Sequence, residues 1–394
     1  MPHQRARHMV SILLKRLRLW PALGVLGARQ TGKSTLLRDQ ISSKIGAVYH
    51  TMDNKELRAQ AEKRPDYFLD SHSENPSHSS APLIIDEVQK VPDLFDAIKL
   101  RVDENRRPGR FILSGSTEFS RKTGIRESLT GRIGILRLYP LTLTECENKS
   151  FSSPWVDEQF SKISFSTSLF QKRVRHGGMP GICFLRSEDE RQASFDSWLE
   201  TTCYRDLQQV KGMKLEGDLA MQILSILPKL EEPSVSEVAA ALKKDSRKIK
   251  RHLEALESLF VVSRLNAHHL GVGKSHYYLF DSGLCHHLGG NNFISLKTCL
   301  LHECLAQHEY SGVKVKISHY RSSRRSMVDW VLEKRSGTSA YIVTEDQAPG
   351  TYVFRTAEAF LKKSPASMVF IIAPIKESYK EHKKLHVIPY ESVI

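Results

Sequence analysis

The 394-residue chain has no apolar run approaching the roughly 18 residues of a membrane-spanning helix. The stretch from Met9 to Gly27 comes nearest, and Lys15, Arg16 and Arg18 interrupt it. The same charges deny it the continuous apolar core of a secretory signal, so a cytoplasmic protein without membrane association is expected. Cysteine is sparse: Cys146, Cys183, Cys203, Cys285, Cys299 and Cys304 are scattered and form no CxxC pair. That argues against a disulfide scaffold and a zinc ribbon, and for reduced thiols. The histidines include no HExxH spacing, so the cluster His268, His269, His276, His286 and His287 reads as solvated or packed side chains. No internal repeat is present. Acidic residues are the scarce charge, 44 against 58 basic ones, which leaves a net charge of +14. Such an excess favours an anionic partner: a nucleotide, a nucleic acid or an acidic protein. The shortage is local. Met1–Gln40 holds eight Lys or Arg against Asp39 alone, Ala241–Ala255 six against Asp245 and Glu254, and Ser311–Arg325 five against none.

What is present is an ordinary core-forming composition, 40% hydrophobic and 26% charged, which excludes disorder as the dominant state. At about 150 residues per domain the length suggests two or three domains. Three blocks are expected: 1–150, 151–290 and 291–394. In the first, short apolar runs at Ala22–Leu26, Ala47–Met52, Pro82–Ile85, Phe111–Leu113 and Ile133–Leu138 alternate with helix-like stretches. That pattern predicts an α/β fold, a parallel sheet with helices on both faces. Ser71–Ala81, rich in Ser, His and Pro, reads as an exposed loop, and the polar stretch Asn148–Ser168 as a boundary. The second block is mostly helical. The third carries strand-like runs at Val313–Ile317, Val328–Leu332, Tyr341–Val343 and Met368–Ile372.

Residues 27–34 read GARQTGKS, a GxxxxGK[ST] phosphate loop between an apolar run and a helix-like stretch. Gly27 and Gly32 permit the tight path, and the backbone N–H groups of Ala28, Arg29, Gln30, Thr31 and onward to Thr35 would face phosphates. Lys33 supplies a point charge for the β- and γ-phosphates of ATP, and the Ser34 hydroxyl a ligand for Mg²⁺. Residues 82–87, PLIIDE, end an apolar run in two acids. Asp86 suits the Mg²⁺ shell, and Glu87 suits orienting or deprotonating the attacking water. At the tip of FILSGS, either Ser114 or Ser116 is placed to contact the γ-phosphate or that water. Arg132 in LTGR is either an arginine finger for a nucleotide in a neighbouring subunit or a helix-end residue favoured by the macrodipole. Asp53, after the second run, is a weaker candidate.

Together with PLIIDEVQKVPDLFDAIK, FILSGST, SLTGRIGILRLYPLTLTE, GGMPG at 177–181, YRDL at 204–207, LESLFVVSRL at 256–265 and YLFDSGL at 278–284, the phosphate loop resembles a family. It is the AAA+-type P-loop ATPases of bacteria and archaea that carry a poorly defined C-terminal region. The resemblance implies a Walker A and Walker B ATPase core, a helical and winged-helix middle, and a restriction-endonuclease-like C-terminal domain. It also places a basic, nucleotide-sensing residue at Arg205.

Two regions bear on DNA. Val235, Val238, Ala239 and Leu242 share one helical face, Lys244–Ser246 reads as a turn and N-cap, and Ile249, Leu253, Leu256 and Phe260 continue an amphipathic second helix. Arg247, Lys248, Lys250 and Arg251 lie near its N-terminal half, the part of a recognition helix that enters a major groove. Val261–Leu265 and His276–Phe280 would form a wing. A double-stranded DNA contact and a protein dock or lid are both open for this element. In the last block Glu303 and Asp329 fit the acids of a restriction-type nuclease. Where an E-x-K should follow, the chain has Ile342 and Thr344, with Glu345 and Asp346 out of register. A nuclease-like fold without nuclease activity is therefore expected, with Lys314–Arg325 left to hold nucleic acid. Two readings of function remain. One is an ATP-hydrolysing protein whose nucleotide state positions the later domains on DNA. The other is a nucleotide-regulated protein-interaction switch, self-association included, with little or no turnover.

Overall fold

Apolar strands of four or five residues with helices between them cannot bury both faces except in a parallel sheet, and a computed structural model contains one. It describes residues 5–74, 81–118, 131–160, 166–210, 215–323 and 326–394. Contacts divide the chain into two units: residues 1–141 with 258–260, and residues 142–257 with 261–394. Apart from residues 258–260, the second unit thus takes in both of the blocks expected after residue 150.

In the first unit β1 (Ala22–Leu26), β2 (Val48–Thr51), β3 (Leu83–Asp86), β4 (Phe111–Gly115) and β5 (Ile133–Arg137) form a five-stranded sheet in the order β2-β3-β4-β1-β5. Every neighbouring pair is parallel. The three central strands are buried along their whole length, as continuous apolar runs require, whereas the edge strands β2 and β5 are only partly covered. Helix Leu94–Glu104 buries Leu94, Phe95, Ala97, Ile98 and Val102, one face at a 3.6-residue period. Ser71–Glu74, expected in a loop, instead completes helix Pro65–Glu74; residues 75–80 of that expected loop lie outside the described residues.

The second unit contains helices and an eight-stranded sheet in the order β12-β13-β11-β10-β9-β8-β6-β7. Its strands are β6 (Val262–Ala267), β7 (His276–Leu279), β8 (Lys316–Arg321), β9 (Met327–Lys334), β10 (Gly337–Val343), β11 (Met368–Ala373), β12 (Tyr379–His382) and β13 (Leu385–Pro389). Strands β10, β11 and β13 run parallel, while β8, β9 and β10 form an antiparallel meander. The core is aromatic: Trp155 packs against Trp330 and Tyr341, with ring centroids 5.9 and 4.7 Å apart, and Tyr341 stacks on Phe370 at 5.2 Å. Strand β8 begins three residues later than the apolar pattern suggested. Its buried positions, Ser318, His319 and Tyr320, lie on both faces of the strand and are polar or amphipathic, so no apolar run marked them, while Val313 stays 38% exposed.

GGMPG and FDSGL, far apart in sequence, meet here. Asp281 caps helix Ser282–His287 by accepting from Leu284 N, and its other oxygen accepts from Gly178 N at 2.7 Å. Gly177 has φ +70°, and a Cβ on it would stand 2.0 Å from the Asp281 carboxylate; one on Gly283 would stand 2.4 Å from His176 O. Both glycines are thus demanded by close approach. Gly283→Ala is expected to cost about 2–4 kcal/mol, read as a lowered urea midpoint with an unchanged m-value.

His276 and His319 stack at a centroid distance of 3.8 Å and an interplanar angle of 8°, both buried. Burial pushes the His276 imidazole down to about 3, with the neighbouring His319, Arg321 and Lys297 adding to the shift. Burial lowers His319 as well. Both rings are neutral in the fold, while the unfolded chain takes up protons below about pH 6.5. The stabilisation is complete above that pH and is lost as pH falls toward the folded values, by up to about 1.4 kcal/mol per pH unit per ring. Denaturant midpoints should therefore fall between neutral and acid pH, and His276→Phe should flatten that acid limb.

Candidate nucleotide site

The parallel register places the carboxyl ends of β1, β4 and β3 side by side, so whatever follows Leu26, Gly115 and Asp86 shares one edge. The loop Gly27–Ser34 follows β1. Its path admits no side chain at Gly27, where a Cβ would lie 2.2 Å from Leu138 O. Leu138 N in turn donates to Leu26 O at 2.6 Å. Gln30 (φ 62°) and Gly32 (φ 93°) are left-handed, the kind of backbone that forms anion-binding nests. Thr31 is buried and its hydroxyl donates to Ala28 O, closing the loop on itself. Lys33 is 4% exposed and its Nζ donates to Gly27 O and Ala28 O at 2.9 and 2.8 Å, so the ammonium sits within the loop's own curve. Arg29 is half-buried and Gln30 exposed, while Ser34 and Thr35 open the following helix. That helix widens to a π-helix over Leu36–Ser42.

One clamp on the loop lies outside any motif. Arg7 is buried and donates from its two terminal nitrogens to Thr31 O (2.7 Å) and Tyr139 O (2.6 Å), tying the loop to the exit of β5.

At the end of β3, Asp86 is 2% exposed. Its Oδ1 accepts from Ser114 Oγ and its Oδ2 from the Tyr49 hydroxyl at 2.6 Å. Tyr49 also meets Ser34, so one phenol joins the two candidate metal ligands. Burial and the Asp86 charge both push that phenol well above its ordinary value, and it stays a donor at every physiological pH. Glu87 has φ 55° and ψ 39°, a left-handed conformation that costs a non-glycine residue about 1 kcal/mol or more. Its Oε2 accepts from Gln89 Nε2 at 2.5 Å and from Ser116 Oγ at 3.4 Å. The two serines thus divide their partners: Ser114 serves Asp86, and Ser116 serves Glu87. Tyr49, Gln89 and Arg7 had no signal in the sequence, since each sits on a strand, a turn or a leading segment and acts only through the polar tip of its side chain.

Other candidates lie elsewhere. Arg132 donates to both oxygens of Asp103, at 2.7 and 2.8 Å, and its carbonyl takes Ala22 N at the start of β1. It therefore stands at the sheet edge opposite the loop of its own chain. Asp53 is engaged by Lys90, and Arg205 pairs with its neighbour Asp206 at 3.2 Å.

In the second unit, helix Ser246–Ser258 is capped by Asp245, which accepts from Arg247 N and Lys248 N. Lys248 pairs with Glu216 at 2.7 Å and Lys250 with Glu254 at 3.8 Å, whereas Arg247 and Arg251 are exposed and make no ion pair among the described residues. Asp329 is 4% exposed; it accepts from Val343 N at 2.8 Å and pairs with Lys297 at 2.7 Å. Glu303 is fully buried, accepts from Leu143 N and lies 3.7 Å from Arg173. Burial pushes its carboxyl up to about 7 against the pull of that guanidinium. His268, His269 and Glu333 bring their ligand atoms within 4.8 Å of one another, but the Lys316 ammonium already holds Glu333 at 2.9 Å. Arg324 and Arg325 of the basic run lie outside the described residues. No helix among the described residues is long and apolar enough to cross a membrane.

Residues 20–147 match the model of an AAA domain family, and residues 167–295 that of a domain family of unknown function. Uncharacterized proteins of Mycobacterium bovis and Mycobacterium tuberculosis are each 26% identical to the chain over 291 residues, 72% of its length. The chain spans 59% of the length of these curated relatives. Among solved structures, the replication initiator DnaA bound to AMPPCP and single-stranded DNA aligns over 65% of this chain and 89% of its own, at 13% identity and a TM-score of 0.31. AMPPCP-bound DnaA from Aquifex aeolicus aligns over 63% and 86%, at 14% identity and a TM-score of 0.27. These structural likenesses are distant. The residues that match the AAA domain family include all five strands of the first unit's parallel sheet.

Proposed function

We propose that the first unit binds ATP with Mg²⁺ and hydrolyses it. The observation that carries this reading is the shared sheet edge, where the Lys33 loop, Asp86 and Glu87 end adjacent central strands with Ser114 and Ser116 between them. Lys33 neutralises phosphate charge, and the N–H groups of the loop bind the phosphate oxygens. Ser34 and Asp86 are the residues that would hold Mg²⁺; a buried carboxylate and a hydroxyl joined through Tyr49 suit that hard cation. When bound, the ion neutralises developing phosphate charge. Glu87, aimed by Gln89 and Ser116, orients or deprotonates the attacking water. Arg132 acts only on a nucleotide in a second copy, because its own loop lies at the other edge of the sheet.

Lys33→Ala is expected to abolish ATP binding. Glu87→Gln should keep it and lower kcat at least about a hundredfold. Isothermal titration with ATP and a phosphate-release assay check both. Tight binding by the wild-type chain without turnover would instead favour the nucleotide-regulated interaction switch.

We further propose that residues 217–279 are a winged helix and that β8–β13 belong to a nuclease-like domain without nuclease activity. Support for the first comes from helices Gly217–Ile226, Val235–Leu242 and Ser246–Ser258 followed by the antiparallel pair β6–β7. Support for the second comes from Ile342 and Thr344, which stand where an E-x-K would follow, and from the Lys297 ammonium, a cation that already neutralises Asp329. Double-stranded DNA is the proposed partner of helix Ser246–Ser258, and a protein dock or lid is the competing reading. Because Lys248 and Lys250 already have acidic partners, Arg247 and Arg251 are the residues available to phosphates. Replacing both by Ala should weaken duplex binding and make the slope of log K against log salt shallower by about 2. An unchanged slope would assign the helix to a protein or lid role.

A further inference from the structure

The second unit encloses a cavity of about 430 Å³ at the carboxyl ends of its parallel strands, where Glu345, Pro374 and Tyr390 follow β10, β11 and β13. Volumes of this order suit a small molecule, and strand carboxyl ends are where α/β sheets offer ligand sites. Three aromatic rings line it. Phe170 and Tyr390 stack with centroids 6.2 Å apart at 28°, and Phe293 already carries the Lys297 ammonium 4.5 Å from its centroid.

The charged residues lining the cavity differ in exposure. Arg175, Lys376 and Glu345 are exposed at its mouth, so the rim carries both signs and selects for neither. Glu391 is the buried one: it lies on the wall, 6% exposed, and among the described residues no hydrogen-bond donor or cation meets its carboxylate. An acid on the wall of such a cavity with no cationic partner is one that a bound cation would complete. An anionic ligand would meet this acid on the wall of the site. A divalent metal ion would find a single buried oxygen donor group among rings, far short of its usual shell. Aromatic faces beside a carboxylate are the chemistry that recognises an organic ammonium group.

We propose that this cavity binds a small organic amine, its ammonium group at Glu391 and its apolar body against Phe170 and Phe293. The site is independent of the phosphate loop. It can be tested on the full chain by calorimetry with tryptamine, and with indole-3-propionate as a ligand of the same ring system and opposite charge. Tryptamine is expected to saturate in the micromolar-to-millimolar range, to be undisplaced by ATP, and to bind at least about tenfold more weakly to Glu391→Gln. Phe293→Ala, a half-exposed position, should weaken it several-fold with an unchanged circular dichroism spectrum, and serves as the test if Glu391→Gln does not fold. Indole-3-propionate should not bind. The proposal is overturned by a lack of saturable tryptamine binding, by equal binding of the two compounds, or by tryptamine binding that both variants leave unaltered.

Discussion

A carboxylate at the end of a fully buried central strand has to be met by donors, and in the first unit Asp86 is that carboxylate. Tyr49 comes to it from β2 on one side and Ser114 from β4 on the other, so three strands are held in register at their carboxyl ends by one side chain. The register then fixes where Glu87 and the loop after β1 emerge. The loop in turn depends on contacts from β5 and from the leading segment: Leu138 leaves no room beyond Gly27, and Arg7 holds the Thr31 carbonyl. The geometry at this edge is therefore a property of the whole sheet rather than of the loop alone.

The five strands of this sheet were legible because burial on both faces demands continuous apolar runs, and such runs stand out against polar connections. The path of the loop after β1 was legible for a related reason: Gly32 is left-handed, and Gly27 stands where Leu138 O leaves no room for a Cβ. What could not be read was anything carried by one atom. Tyr49 looks like any strand aromatic, and only its hydroxyl, shared by Asp86 and Ser34, gives it a place in the site. In the second unit the misplaced start of β8 has the same origin, since Ser318, His319 and Tyr320 are buried while a valine stays outside. β12 and β13 carry His, Lys and Pro among few apolar residues, and no run of the kind that marked the other strands announced them.

The second unit handles its acids in a different manner from the first. Glu303 and Asp329 are each met by backbone N–H and by a basic side chain, Arg173 or Lys297, and Asp281 by two backbone N–H groups from separate motifs. Acids so engaged act as struts. Asp281 in particular explains why GGMPG and FDSGL occur as a pair: one supplies a tight turn with an open N–H, the other the carboxylate that fills it.

The left-handed backbone of Glu87 has an evolutionary consequence. Glycine or asparagine would relax that conformation, so a substitution that removes the carboxylate also tends to make the fold more stable. On the proposed reading, in which Glu87 acts on the attacking water, stability and chemistry pull this one position in opposite directions, and a lineage without need of turnover would drift there first.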